Sequence, residues 1–291
     1  CKLAILDGTG KLLHIDKIFP HEPVKKVAEA EKICLNLIKK YNVSLIAIGN
    51  GTASRESEQF VSELVKKNNL DVKYTLVSEA GASVYSASEN ARSEFPDLHV
   101  EERSAVSIAR RVLDPLSELI KIDPRSIGVG QYQHDLPTKE LDEKLDFTVL
   151  KTVNRVGVDL NTASKELLEH ISGLNKSSAN EIVNYRNENG LFSNRSELKK
   201  VNKIGAKAFQ QAAGFLRIKD GKEALDMTSI HPESYKLAKY ILMEHKGLAL
   251  GSEELKEALA NDDVKALASK YESDVYTVSD IIKNLSEPLR D

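Results

Sequence analysis

Apolar positions in the first third of the chain follow two alternating periods. Short runs, Leu3 to Leu6 and Leu12 to Ile18, flank Asp7-Gly8-Thr9-Gly10 and predict a β-hairpin, because glycine supplies the positive φ that such turns need. Val27, Ala30, Cys34, Leu37, Ile38 and Tyr41 then fall on one face at helical spacing. Val43 to Ile48 reads as a buried strand ending at Gly49-Asn50-Gly51, Phe60, Leu64 and Val65 mark the next helix, and Val72 to Val77 a further strand. Strand, strand, helix, strand, helix, strand is an α/β layer arrangement.

From Ala80 onward no strand pattern appears, and the remainder predicts helices with loops. Ala105 to Ile122 is expected to be helical, with Pro115 at a kink or a helix start. Asp123-Pro124, Gly128 to Gly130 and Pro137 punctuate a connector. Near the end, Pro232 suits the first turn of a helix, Leu237, Ala238, Ile241 and Leu242 recur at helical spacing, and Thr277 is the expected cap of a helix around Ile281.

Within residues 151–218 one pattern repeats. Ile171-Ser-Gly173-Leu-Asn175 returns thirty residues later as Val201-Asn-Lys203-Ile-Gly205, each between helical segments. Asn161-Thr162, Gly190, Ser196 and Gly214 stand where four helices would start or stop, so each unit reads as helix, tight turn, helix. In such a hairpin the turn exposes backbone N–H groups at the start of the second helix, where the dipole also favours an anion, so a phosphate is held whatever base it carries. Each copy departs from the apolar-x-Gly-apolar-Gly form: Asn175 replaces the second Gly of one, Lys203 the first Gly of the other. Asn175 is expected to keep its turn by tolerating a left-handed φ. Gly173, Asn175, Lys176, Lys203, Gly205 and Lys207 are the candidate phosphate-contacting residues; the competing reading is a packing module for neighbouring domains.

Charge supports the first reading. The whole chain carries a net −3, which argues against a nucleic-acid binder, but residues 151–218 hold 11 basic and 6 acidic residues, a net +5, while residues 219–291 hold 10 and 15, a net −5. The 291 residues suffice for about two domains of ~150 residues. No apolar run approaches the ~20 residues that cross a bilayer, and no secretory signal is recognisable at Cys1, so no membrane partner is expected. The missing initiator Met reads as a fragment or a nicked chain, beginning inside a strand. Two cysteines exclude a disulfide scaffold and point to a reducing, cytoplasmic setting. No His-x-x-x-His or Cys-x-x-Cys pair offers a metal site, and no cofactor motif is present.

Ser78–Ser88 (SEAGASVYSAS), Ala105–Arg111 (AVSIARR), Asp114-Pro-Leu, Lys121–Pro124 (KIDP), Ser126–Asp135 (SIGVGQYQHD), Val153–Ala163 (VNRVGVDLNTA), Ala213–Ile218 (AGFLRI) and His231-Pro-Glu233 together resemble the bacterial transcription accessory protein family Tex. The resemblance implies an α/β, ribonuclease-H-like domain of YqgF type at 1–122, a connector at 123–150, an all-α tandem helix-hairpin-helix domain at 151–218 and a helical segment at 219–291. An OB-fold domain that binds RNA would follow, and a helical half would precede, outside this sequence. The family is linked to transcription and is similar to a eukaryotic elongation factor that travels with RNA polymerase. RNA or DNA is the expected partner, with RNA polymerase or the ribosome as the partner in a scaffold reading.

A ribonuclease-H-like layout also raises a metal-dependent, structure-selective nuclease, in which several carboxylates clamp two metal ions. Only Glu79, just past a strand end, matches such a position. The first-strand acid of that pattern would precede Cys1, Asp7 reads as a turn residue, and Ser104-Ala105-Val106 holds no carboxylate. Glu79 is therefore read as vestigial, with no catalytic residue and no metal. Gly49–Arg55 is either a phosphate cradle or, preferably, a tight turn capped by Thr52 or Ser54; it lacks the Gly-Lys-Ser/Thr ending of a P-loop. Gln131–Asp135 is read as a docking loop, and Tyr185, Phe192, Phe209 and Phe215 as hairpin core rather than a base-stacking surface.

Overall fold

The first two strands explain why the chain turns where it does. β1 (Lys2–Leu6) runs antiparallel to β2 (Leu12–Lys17), with Ile5 opposite His14 and a register slip between Ile5 and Leu6. At the slip, Asp7 Oδ1 accepts hydrogen bonds from the Thr9 amide (2.9 Å), Thr9 Oγ1 (2.6 Å) and the Lys11 amide (3.0 Å), and Gly10 supplies a φ of 81°. Burial opposes the Asp7 charge, yet these bonds from Thr9 and Lys11 hold its carboxyl below its usual range.

The structure, a computed structural model, describes residues 1–127 and 130–287, and of residues 131–132 the backbone alone. Gly128 of the connector lies outside the described residues. Two units are formed, Cys1–Pro137 and Thr138–Asp291.

In the first unit, α1 (Val27–Tyr41) ends where Asn42 takes a left-handed φ of 50°. Burial pushes the Cys34 thiol on this helix up to about 11. β3 (Leu45–Gly49) pairs in parallel with β4 (Lys73–Val77), and α2 (Ser54–Lys67) forms the crossover that parallel strands require. The α/β order found is the one the hydrophobic periods predict. The chain then continues as α3 (Ala82–Ala87), α4 (Glu89–Glu94), α5 (Val100–Leu113) and α6 (Pro115–Leu119), with α5 packed on β1, β3, β4 and α3. Pro115 starts a helix instead of kinking one: it occupies the first position of α6, and the Asp114 side chain accepts from the Ser117 amide at 2.9 Å.

Around α5 and α6 lies a polar network. The Lys121 and Glu118 side chains, each 2% exposed, are 2.6 Å apart. Ser107 Oγ donates to Glu118 at 2.9 Å, Arg110 meets Glu94 at 2.6 Å, and the Tyr85 hydroxyl donates to Glu94 at 2.7 Å. Burial would raise the Glu94 carboxyl, but Lys121 and Arg110 outweigh it and hold it at about 2.

The second unit opens with α7 (Thr138–Val156), which starts inside the stretch read as a connector. Leu141, Leu145, Val149 and Val153 recur every four residues along it, a helical stripe that the connector reading passed over, although only Val153 of its 19 residues is buried. The hairpin region comprises β5 (Val158–Asp159), α8 (Lys165–Leu168), α9 (Lys176–Asn189), a 3-10 segment Arg195–Lys200, α10 (Ala206–Ala212) and β6 (Leu216–Arg217). β5 and β6 pair in parallel, which corrects the expectation of no strand beyond Ala80; two residues are too few to display alternation. Ser164, not Asn161 or Thr162, caps α8. The Asn161 carboxamide instead grips the Phe192 backbone, donating to its carbonyl at 3.0 Å and accepting from its amide at 2.8 Å. Gly190 ends α9 with a φ of 86°, while Ser196 lies inside the 3-10 segment and caps nothing.

Four helices follow, α11 (Tyr235–Glu244), α12 (Glu253–Ala260), α13 (Val264–Lys270) and α14 (Val275–Ser286), closed around Ile241, Leu255, Leu259, Val278 and Leu285. Asp274, not Thr277, caps α14, accepting from the Thr277 amide at 2.8 Å. Among the described residues, no helix is long and apolar enough to cross a membrane.

Arg195 joins the hairpins to these helices. It is 1% exposed; its amide donates to Asp226 Oδ2 (2.7 Å), and Nη1 donates to the Ile230 carbonyl (2.7 Å) and the Tyr235 hydroxyl (2.9 Å). Nη2 donates to the Thr228 carbonyl, and the Tyr235 hydroxyl donates to Asp226 Oδ1.

Two outcomes follow from these networks. Glu94 ionises more readily folded than unfolded, so its contribution is full above its ordinary value of 4.5 and fades as pH falls toward 2. Acid titration of Glu94→Gln, followed by circular dichroism, should show a flatter loss of stability across that window than the parent. Replacing Arg195 by Met strands the buried Asp226 carboxylate and should lower stability by about 3–5 kcal/mol, with Asp226→Leu added to it restoring part of the loss, as read from urea midpoints.

Candidate nucleic-acid interface

The two hairpin turns reach similar shapes by different residues. In the first, Gly173 takes a φ of 88°, and a Cβ there would lie 2.6 Å from Gln211 Cβ and 3.1 Å from the Ala208 carbonyl oxygen. Glycine is therefore required twice over, for its backbone angle and because the turn presses on α10. Asn175 does not take the left-handed angle expected of it. Its φ is −140°, and it caps α9, Oδ1 accepting from the Ser177 and Ser178 amides at 3.0 Å each while Ser178 Oγ accepts from its amide at 2.9 Å. The side chain that replaces glycine has claimed the amides at this helix start.

In the second hairpin the left-handed position falls to Lys203, with a φ of 63°. Gly205, at a φ of −79°, places no side chain over the start of α10, which has no side-chain cap. Lys203 Nζ donates to Ser177 Oγ at 2.8 Å, so the second turn reaches across to the first turn of α9. Lys176, Lys203 and Lys207 are all exposed; Gly173, Asn175, Lys203 and Gly205 lie on the two adjoining turns, and Lys176 and Lys207 on the first turns of α9 and α10. Ser177 was not among the residues singled out from sequence; nothing in a one-dimensional pattern marks the partner of a lysine 26 positions away.

The aromatics near the hairpins are core. Phe192 and Phe209 are buried, Tyr185 and Phe215 half-buried, and Tyr185 stacks on Phe192 with ring centroids 5.1 Å apart. Tyr185 and Phe192 each spend a face on the other, and the Lys199 ammonium lies 4.7 Å from the Phe209 ring centroid.

In the first unit, Glu79 lies two residues past β4 with its carboxylate laid over the Gly49-Asn50-Gly51 loop. A Cβ on Gly49 or Gly51 would fall 1.9 or 2.1 Å from its oxygens, and Asn50 Oδ1 accepts from the Glu79 amide at 3.0 Å. Neither Thr52 nor Ser54 caps α2: Ala53 stands at the cap with a φ of 59° and no side-chain bond. The glycines of this loop make room for Glu79. On the other side, the buried Arg111 donates from Nη1 to the carbonyls of Ser78 (2.7 Å) and Ala80 (2.8 Å), clasping the residues that flank Glu79. This donor set does not fit a two-metal centre. Among the described residues no three His, Cys, Asp or Glu side chains converge, and a guanidinium already occupies the neighbourhood of the one carboxylate.

Three family models match the chain: the Tex protein YqgF-like domain over residues 1–113, a helix-hairpin-helix motif over 153–217 and an HHH domain over 223–291. The last adds a helix-hairpin-helix relationship in the terminal segment, which its sequence pattern had shown only as helical. The uncharacterized protein YdcI of Bacillus subtilis is 52% identical over 294 residues, covering 100% of this chain and 41% of that protein. The transcriptional accessory protein Tex of Neisseria gonorrhoeae is 49% identical over 296 residues, covering 100% of this chain and 38% of that protein. S1 RNA-binding domain-containing protein 1 of Homo sapiens is 41% identical over 345 residues, covering 99% of this chain and 34% of that protein. The chain thus spans 34–41% of the length of these relatives. With the YqgF-like domain and the helix-hairpin-helix domains matched in the same order as the α/β and helical units seen here, the chain belongs to the Tex family.

Proposed function

We propose that this chain is the nucleic-acid-holding part of a transcription accessory factor, gripping the phosphate backbone of RNA or DNA through its paired hairpins without reading bases and without catalytic chemistry of its own. The observation that carries this reading is the Lys203–Ser177 hydrogen bond, which sets two exposed turns side by side with Lys176, Lys203 and Lys207 around them. The surrounding residues 151–218 are net positive, while the segment after them is net negative. The uncapped start of α10 at Gly205 and the lysines contribute positive potential, whereas the Asn175 side chain leaves the first hairpin to act through Lys176.

The working compartment proposed is the cytoplasm, and RNA polymerase or the ribosome the protein partner. A relative named as a transcriptional accessory protein supports the transcriptional role. A relative named for an S1 RNA-binding domain favours RNA among the nucleic acids.

Contacts to phosphate imply near-indifference to base sequence and a steep dependence on salt. With about three to five phosphates neutralised, the log–log slope on duplex DNA should be about −3 to −4.5. Replacing both Lys176 and Lys203 by Glu should weaken binding more than about tenfold at moderate salt, while the same change at Lys256 and Lys265, in the acidic segment, leaves it nearly unchanged. Fluorescence anisotropy with thermal melts of both double variants provides the check. Full retention of binding by the hairpin variant would favour a purely protein-binding scaffold. Incubation with Mg²⁺ or Mn²⁺ should produce no cleavage of RNA, DNA or junctions; reproducible cleavage that disappears in Glu79→Gln would restore the nuclease reading.

A further inference from the structure

The terminal helices carry an aromatic stack on their surface. Tyr240 on α11 and Tyr271, just after α13, lie with ring centroids 5.4 Å apart and planes at 11°. Tyr271 is fixed from its hydroxyl, which bonds to the Glu244 carboxylate, and Lys270, 5.4 Å from the Tyr271 ring centroid, is tied to the same carboxylate at 2.7 Å. That side of the stack is closed. The other is not: Tyr240 is 38% exposed, and among the described residues the cation over its ring is the exposed Lys236, its ammonium 5.9 Å from the centroid. Lys236, Tyr240 and Met243 recur at i, i+4 and i+7 along one exposed face of α11, while the helix buries Ala238 and Ile241.

We propose that this stack is a second nucleic-acid contact, taking an unstacked base of a single strand on the outer face of Tyr240 with Lys236 on the adjoining phosphate. The inference rests on the reading of the hairpins as a phosphate grip and extends it to strand type. A ring already backed by another ring is a rigid platform, and an exposed ammonium lying loosely over it is a weaker partner than a base. Lys236 can swing from the ring to a phosphate without leaving an unpaired charge. The acidic terminal segment does not attract a polyanion from a distance, so the base must be delivered by a strand already held nearby. The fold provides that: Tyr235, the first residue of α11, is hydrogen-bonded to Arg195 at the edge of the second hairpin. A duplex, whose bases are stacked on one another, offers no free face to Tyr240.

The test compares Tyr240→Leu and Tyr240→Phe with the parent, using a short single-stranded oligonucleotide and duplex DNA as separate probes. Leu keeps the apolar bulk but removes the π face and should weaken single-strand binding about 5- to 100-fold while leaving duplex binding unchanged; Phe should behave as the parent. Irradiation with a strand containing 5-iodouracil should attach it to the peptide bearing Tyr240. Unchanged single-strand affinity in Tyr240→Leu, with adducts confined to residues 171–207, would overturn the stack while leaving the hairpin reading intact. Loss of both probes in the Lys176→Glu, Lys203→Glu variant would leave that hairpin reading standing independently. Equal losses for duplex and single strand in Tyr240→Leu, with an unaltered melt, would also overturn the stacking role.

Discussion

Arg195 brings a full positive charge into a site from which water is almost excluded, and the second unit is organised around satisfying it. Two backbone carbonyls, of Thr228 and Ile230, and the Tyr235 hydroxyl accept its guanidinium protons, while Nε faces Asp226 Oδ1 at 3.9 Å. Burial lowers the affinity of this guanidinium for its proton, the expected direction for a cation taken out of water. Such a site stabilises little relative to an apolar core, but it is severe on alternatives, because any arrangement that separates the residues leaves a charge unpaired. Here the partners come from the loop before α11 and from its first residue, so the path of the chain out of the hairpins is fixed by one side chain. The hairpin surface and the face of α11 consequently belong to one frame.

Much of this architecture is legible in the sequence because it is periodic. The first hairpin, α1, the β3–α2–β4 crossover and the tandem repeat each announce themselves by alternation, helical spacing or glycine placement. What stays hidden is non-periodic or distant. β5 and β6 are two residues each, too short to alternate. Arg195 finds its acceptors 31 to 40 positions along the chain, and Tyr240 finds Tyr271 through the packing of α11 against the helices that follow. A charged residue in a basic stretch looks like a phosphate contact until its burial is known.

The hairpins show why the identity of a substituted residue matters more than the loss of a motif letter. At Asn175 the helix start demands an extended φ, and a carboxamide there becomes a cap; its effect is on which amides remain open, not on whether the turn forms. At Lys203 the backbone does demand a left-handed φ, which costs a lysine about 1–2 kcal/mol relative to a comfortable conformation. The extended side chain gains a hydrogen bond to Ser177 and a charge at the junction of the turns. One departure occupies the amides at a helix start and the other sets a cation beside the neighbouring turn, so two repeats that look equivalent in sequence differ in what they leave open.

The same logic separates fold from chemistry in the α/β unit. Glu79 sits where a carboxylate would serve a nuclease of this layout, yet its oxygens are seated on Gly49 and Gly51 and its flanking carbonyls are held by Arg111. A metal ion would have to draw that carboxylate off a loop shaped to receive it and approach a neighbouring guanidinium, both of which oppose binding electrostatically or sterically. These interactions hold the segment after β4 against the Gly49-Asn50-Gly51 loop on one side and against Arg111 of α5 on the other. Seating on this loop is by itself a sufficient packing reason for an acid at Glu79.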